Sequence, residues 1–112
     1  MSELRVILEV EKLYRGVLKV TEKLPSERRV VLGRRMEDVI LNLMEYLIMA
    51  KGAPKAMKGT YLLKAGALAE MVQFYLRIWL EEKLANETTL FQLQAKVVEV
   101  GRQVGGWRRS VQ

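Results

Sequence analysis

The sequence predicts an all-α protein, an antiparallel up-down-up-down four-helix bundle. Apolar residues recur at three-and-four spacing through four stretches of about 20 to 27 residues each, and the strict alternation of strands is absent. The interruptions between these stretches, at Pro25, Pro54 and Ala85-Asn86-Glu87-Thr88-Thr89, are short. Long helices joined by short connections must fold back on one another. With 112 residues, half of them apolar, the chain suits a single domain over residues 1–112.

The first helix is expected over residues 2–23. Val6, Val10, Leu13, Val17, Val20 and Leu24 form one stripe, and Leu4, Ile7, Leu8, Tyr14 and Leu18 form a second beside it. Together they exceed the roughly 100° arc that one core contact needs, so this helix should touch two neighbours. The second helix, over 27–51, follows Pro25 with Ser26 as the expected N-cap. It places Leu32, Met36, Val39, Leu43, Tyr46 or Leu47, and Ala50 inward, and Gly33 suits close packing against the first helix.

The third helix, over 58–84, carries Tyr61, Ala65, Leu68, Val72, Tyr75 and Trp79 on one stripe and Leu62, Ala69, Leu76 and Leu80 on another. Phe74, Tyr75 and Trp79 are expected in the core rather than as base-stacking platforms. The fourth, over 89–109, opens on a Thr89–Gln92 capping pattern and continues through Leu90, Leu93, Val97, Val100, Val104 and Trp107 toward Val111. Gly101, Gly105 and Gly106 interrupt it, at up to about 1 kcal/mol each relative to alanine. Close helix approach is the simple reason for them.

Composition removes most chemistry. Without cysteine or histidine, disulfides, thiolate or imidazole metal sites and Ser-His or Cys-His nucleophile pairs are excluded. Glu37–Asp38 and Glu81–Glu82 are adjacent on helices and diverge, while Glu45 with Glu70 supplies too few ligands for a metal. The Gly-Arg-Gln-Val-Gly-Gly stretch at 101–106 lacks the preceding strand and the Gly-Lys-Ser/Thr ending of a phosphate loop. No enzymatic activity, metal or cofactor is expected. No apolar run is long enough for a membrane span, and the Met1-Ser2-Glu3-Leu4 start has no secretory pattern, so a cytoplasmic location without membrane contact is expected. The spare apolar stripes of the first and third helices point to a homo-oligomer.

The formal charge is +6, and it is unevenly placed. Residues 1–24 carry +1, 25–60 carry +3, 61–86 carry zero and 87–112 carry +2. Arg28, Arg29, Arg34 and Arg35 begin the second helix, where cations oppose the helix dipole. Lys51, Lys55, Lys58 and Lys64 surround the turn to the third helix, with no acid between Glu45 and Glu70. These eight are the expected phosphate-contacting residues of a nucleic-acid interface. Solvated surface, or docking of an acidic protein, is the other reading of the same charges.

Two runs carry a family likeness. Leu24 to Arg35, Leu-Pro-Ser-Glu-Arg-Arg-Val-Val-Leu-Gly-Arg-Arg, resembles the loop and second-helix start of four-helix proteins related to those encoded in ribosomal RNA intervening sequences. The run Glu99 to Trp107, of the form Glu-x-Gly-Arg-x-x-Gly-Gly-Trp, resembles the Avd family, the accessory variability determinants of diversity-generating retroelements. The third-helix pattern Phe74-Tyr75-Leu76-Arg77 extends that likeness along the chain. It implies a basic homopentameric barrel that binds a reverse transcriptase and its template RNA; because phosphate contacts do not read sequence, binding of DNA is expected as well at low salt. Such a protein supports mutagenic retrohoming without being a catalyst, because the polymerase needs it to make complementary DNA in which template adenines are copied unfaithfully. Arg77 matches a basic position implied to contact the polymerase. One turn earlier, where the family can carry a second basic residue, this chain has Gln73. The alternative is an oligomeric structural adaptor of the intervening-sequence type with no reverse-transcriptase partner.

Overall fold

The computed structural model describes residues 3–112. Helix α1 is Glu3–Thr21, α2 covers residues 26–52, α3 is Lys55–Glu81 and α4 is Glu87–Ser110. Ser2, the expected first residue of α1, lies outside the described residues. Each helix packs against two neighbours around the ring α1, α2, α3, α4, and among the described residues no Cα atoms of the diagonal pairs come within 8 Å of each other. At 1.5 Å per residue, α3 spans about 40 Å, close to the 44 Å long axis of the molecule.

The stripes become the core as the periodicity requires. Val6, Val10, Leu13 and Val17 of α1, Met36, Leu43 and Leu47 of α2, Leu62, Val72 and Leu76 of α3, and Leu90, Val97 and Val100 of α4 are all buried. Trp79 and Trp107 are buried, and Tyr75 is half-buried. Phe74 departs from the expected core position and is 42% exposed. It lies two residues beyond Val72, about 200° around the helix, and so points away from the core.

The helix ends differ from the sequence expectation for local reasons. Ser26 is the first residue of α2 rather than its cap; Pro25, extended at φ −54° and ψ 150°, occupies the cap position, and its carbonyl accepts the Arg29 amide at 2.8 Å. One α-helical turn, Ser26–Arg28, leads into a π-helical turn, Arg29–Gly33, before the α-helix Arg34–Gly52. The Arg34 amide donates to the Arg29 carbonyl. The residue inserted by this wider turn leaves Val30 and Val31 exposed while Gly33 is buried. A Cβ on Gly33 would meet Thr21 Cβ and Cγ2 at 3.1 Å, so the glycine does serve close packing on α1. Beside it, the Thr21 hydroxyl donates to Glu37 Oε2 at 2.7 Å and ties α1 to α2.

Helix α3 starts at Lys55, directly after Pro54, rather than at residue 58, and it ends at Glu81 rather than at 84. Lys83 turns left-handed at φ 55°, its amide donates to Leu80 O, and the Leu84 amide donates to Trp79 O. This pairing satisfies carbonyls left free at a helix end, with lysine at a position that glycine fills at less cost. At the start of α4 the cap is Asn86, whose Oδ1 accepts the Thr89 amide at 3.0 Å. Thr89 is thus a residue of the first turn, not the cap.

Candidate nucleic-acid and partner interface

The up-down topology separates the eight expected phosphate contacts into two groups. Arg28, Arg29, Arg34 and Arg35 are exposed at the pole where α2 begins, and Lys51, Lys55 and Lys58 lie at the opposite pole. The two poles are about 35 to 40 Å apart along α2. Lys64 is exposed on α3 between them.

Three of the eight have intramolecular roles. The Lys58 ammonium donates to the carbonyls of Ala50 at 2.7 Å and Lys51 at 3.1 Å, closing the C-terminal end of α2. Arg35 Nε donates to the Tyr75 hydroxyl at 3.2 Å and links α2 to α3. Lys64 Nζ sits 5.6 Å from the centroid of the Tyr46 ring, which itself stacks on Tyr61. Among the described residues Arg28, Arg29, Arg34, Lys51 and Lys55 have no side-chain hydrogen bond or ion pair. Glu37, a candidate partner for these arginines, is taken by Thr21. The five unpaired cations are therefore free to meet external anions, with no internal bond to break.

Net charge per segment concealed a third cationic area. Arg5, Lys12 and Lys19 recur at seven-residue spacing on the face of α1 turned toward α4, and Lys23 follows in the turn after the helix. Lys19 and Lys23 border a depression with Asn86 and Thr89 at the start of α4. Lys12 pairs with Glu9 at 3.6 Å, and Arg5 acts electrostatically on Glu99 of α4. Glu11 and Glu22 point elsewhere, and with Glu3 and Glu9 they cancelled these cations in the sum for residues 1–24. A face-by-face count would have found them.

Arg77 lies outside both polar groups. It borders the outer groove between α3 and α4 together with Glu70, Gln73, Phe74 and Gln94, and its guanidinium stands 5.6 Å from the centroid of the Phe74 ring. Toward the pole where α3 begins, the same groove is bordered by Leu63, Gly66, Val98, Gly101 and Gly105. Glu99 stands on the other flank of α4, where hydrogen bonds from Arg102 and then Gln103 hold its carboxyl at about 2, below its ordinary 4.5.

The glycines of this groove overturn one expectation. A Cβ on Gly101 would meet only Gln73 Nε2, at 3.7 Å, one on Gly105 only Arg109 Nη1, at 3.5 Å, and one on Gly66 nothing within 4 Å. Close approach within the chain is not the reason for Gly101 or Gly105. It is the reason for Gly16, which the sequence reading passed over: a Cβ there would lie 2.7 Å from Leu93 Cδ2.

Among the described residues, no cluster of acidic side chains is arranged to hold a metal ion, and no helix is long and apolar enough to cross a membrane. The sequence model of a family described as bAvd-like matches residues 5–111. The chain belongs to the bAvd-like family. No curated protein matches it. The family match takes in the Arg28–Arg35 run, the α3 segment with Arg77 and the glycine-bearing end of α4. The bAvd-like family is an accessory, non-catalytic type, and in this member the exposed cations stand at the two poles of a helical bundle.

Proposed function

We propose that the protein is a non-catalytic accessory subunit of a diversity-generating retroelement, a homopentamer that holds a reverse transcriptase beside its template RNA during mutagenic complementary-DNA synthesis. The observation that carries this reading is the bAvd-like match over residues 5–111. The five unpaired cations at the two poles support it. In this role Arg28, Arg29, Arg34, Lys51 and Lys55 contact phosphates directly, while Arg35, Lys58 and Lys64 add positive field from positions fixed by their own contacts. Arg77, braced on Phe74, engages the polymerase. Phosphate contacts position a polynucleotide without reading its sequence, so specificity comes from assembled shape, and DNA binds as well at low salt.

Binding of template RNA measured between about 50 and 200 mM salt tests the nucleic-acid part, because each phosphate contact to a single strand contributes about 0.7 to the logarithmic salt slope. Alanine at Arg28, Arg29 and Arg34 should flatten that slope by up to about 2. An unchanged slope would remove these residues from the interface. Co-purification with the reverse transcriptase tests the rest: capture that is lost in Arg77→Ala supports the reading, whereas an oligomer that captures no polymerase is the structural adaptor.

A further inference from the structure

Two opposite faces of the bundle share an unusual property: each exposes apolar surface near the same pole. On the α1–α2 face, Leu4, Leu41 and Ile48 are exposed, Leu4 and Ile48 each at 55%. The Thr21–Glu37 bond orients this face, because Leu41 and Ile48 continue the line of α2 that begins at Glu37. On the α3–α4 face, Leu63 and Val98 are exposed at 53% and 54% beside a floor formed by Gly66, Gly101 and Gly105.

We infer that the α1–α2 ridge of one copy packs into the glycine-floored half of the α3–α4 groove of a second copy, forming a head-to-tail contact. This rests on the homo-oligomeric reading above and names the surfaces that make it. The reasoning is complementary shape within one chain. Ridges of large side chains pack into grooves, and here the two are at matching heights: at 1.5 Å per residue both lie within about 18 Å of the pole where α1 begins. Equal height is what a closed ring needs, since a contact with axial rise would wind into a filament. The glycines supply the depth, and nothing in their own chain occupies the space above Gly66. Arg108 and Glu70 both border the groove, and Glu45 stands between Leu41 and Ile48, where the Arg108 of a second copy can meet it. A symmetric groove-to-groove dimer would leave the ridge uncovered and the glycine floor unfilled. Arg77 and Phe74 lie farther along the groove, outside the covered half.

The test uses native mass spectrometry of the full chain and two blocked variants. Gly101→Leu with Gly105→Leu fills the groove, and Leu41→Glu with Ile48→Glu charges the ridge. Wild type should assemble and each variant alone should be monomeric. Mixed in equal amounts, the two should form a one-to-one dimer and nothing larger, because one intact ridge meets one intact groove. Should the filled groove impair folding by circular dichroism, Val98→Glu replaces it, since that side chain is half exposed. Either blocked variant keeping the wild-type mass, or a mixture that stays monomeric or grows beyond a dimer, would overturn the surface assignment and leave oligomerisation standing. A monomeric wild type would instead overturn the oligomeric reading itself.

Discussion

The seams of α1 and the outer groove of α3 and α4 use the same residue type in opposite ways. Gly16 and Gly33 lie against their own chain, with Leu93 Cδ2 and the Thr21 side chain occupying the space a Cβ would need. Gly66, Gly101 and Gly105 border space their own chain leaves open. Both sets carry the same helix penalty of up to about 1 kcal/mol per residue. In the first set the tight α1 seams offset it inside the protomer. In the second, the protomer gains nothing for the cost.

The contrast is sharpest under substitution. Gly16→Val should destabilise the protein most, by about 2 to 3 kcal/mol, because Leu93 is buried and its neighbours must move. Denaturant unfolding measures this, and an unchanged midpoint would dissolve the distinction. Thr21→Val removes the 2.7 Å bond to Glu37 beside Gly33 and should cost about 1.5 to 2 kcal/mol by the same assay. Gly101→Ala, made in the ridge-charged background so that only the protomer is read, should raise stability by about 0.5 to 1 kcal/mol. A loss there would place Gly101 with Gly16.

The smallest effect belongs to the α4 flank. Arg102→Ala should move the Glu99 carboxyl upward from about 2 toward 4.5, as followed by NMR titration. The sign is that of a depressed carboxylate: the contribution of the pair is complete above pH 4.5 and fades as pH falls toward 2. In Arg102→Ala that acid dependence should shrink, and a Glu99 titration that stays near 2 would assign the shift to Gln103 alone.

Much of the bundle was legible in the chain. The inward stripes of all four helices, the two proline breaks and the tight approach of Gly33 to α1 follow from local spacing and residue size. The helix starts were less legible because Ser26, Asn86 and Thr89 all carry suitable capping oxygens, and only the path set by Pro25 and the turn at Lys83 decides which residue caps. The π turn at Arg29–Gly33 has no periodic signature, and it ends on the glycine that lies against Thr21. For the candidate interface, the cations were visible, but their sorting was not. Lys58 differs from Lys55 only in whether its ammonium reaches the carbonyls of Ala50 and Lys51.

The sequence by itself determined that four amphipathic helices fold back on one another, carry excess positive charge at the ends of α2 and lack histidine and cysteine chemistry. Periodicity, residue type and formal charge are properties of the chain before it folds. Tertiary structure alone decided which cations remain unpaired, that Phe74 faces outward, and that the glycines of α3 and α4 floor a groove while Gly16 fills a seam. Those distinctions depend on which atoms of distant segments come within a few ångströms of each other, a relation that spacing along one helix does not encode.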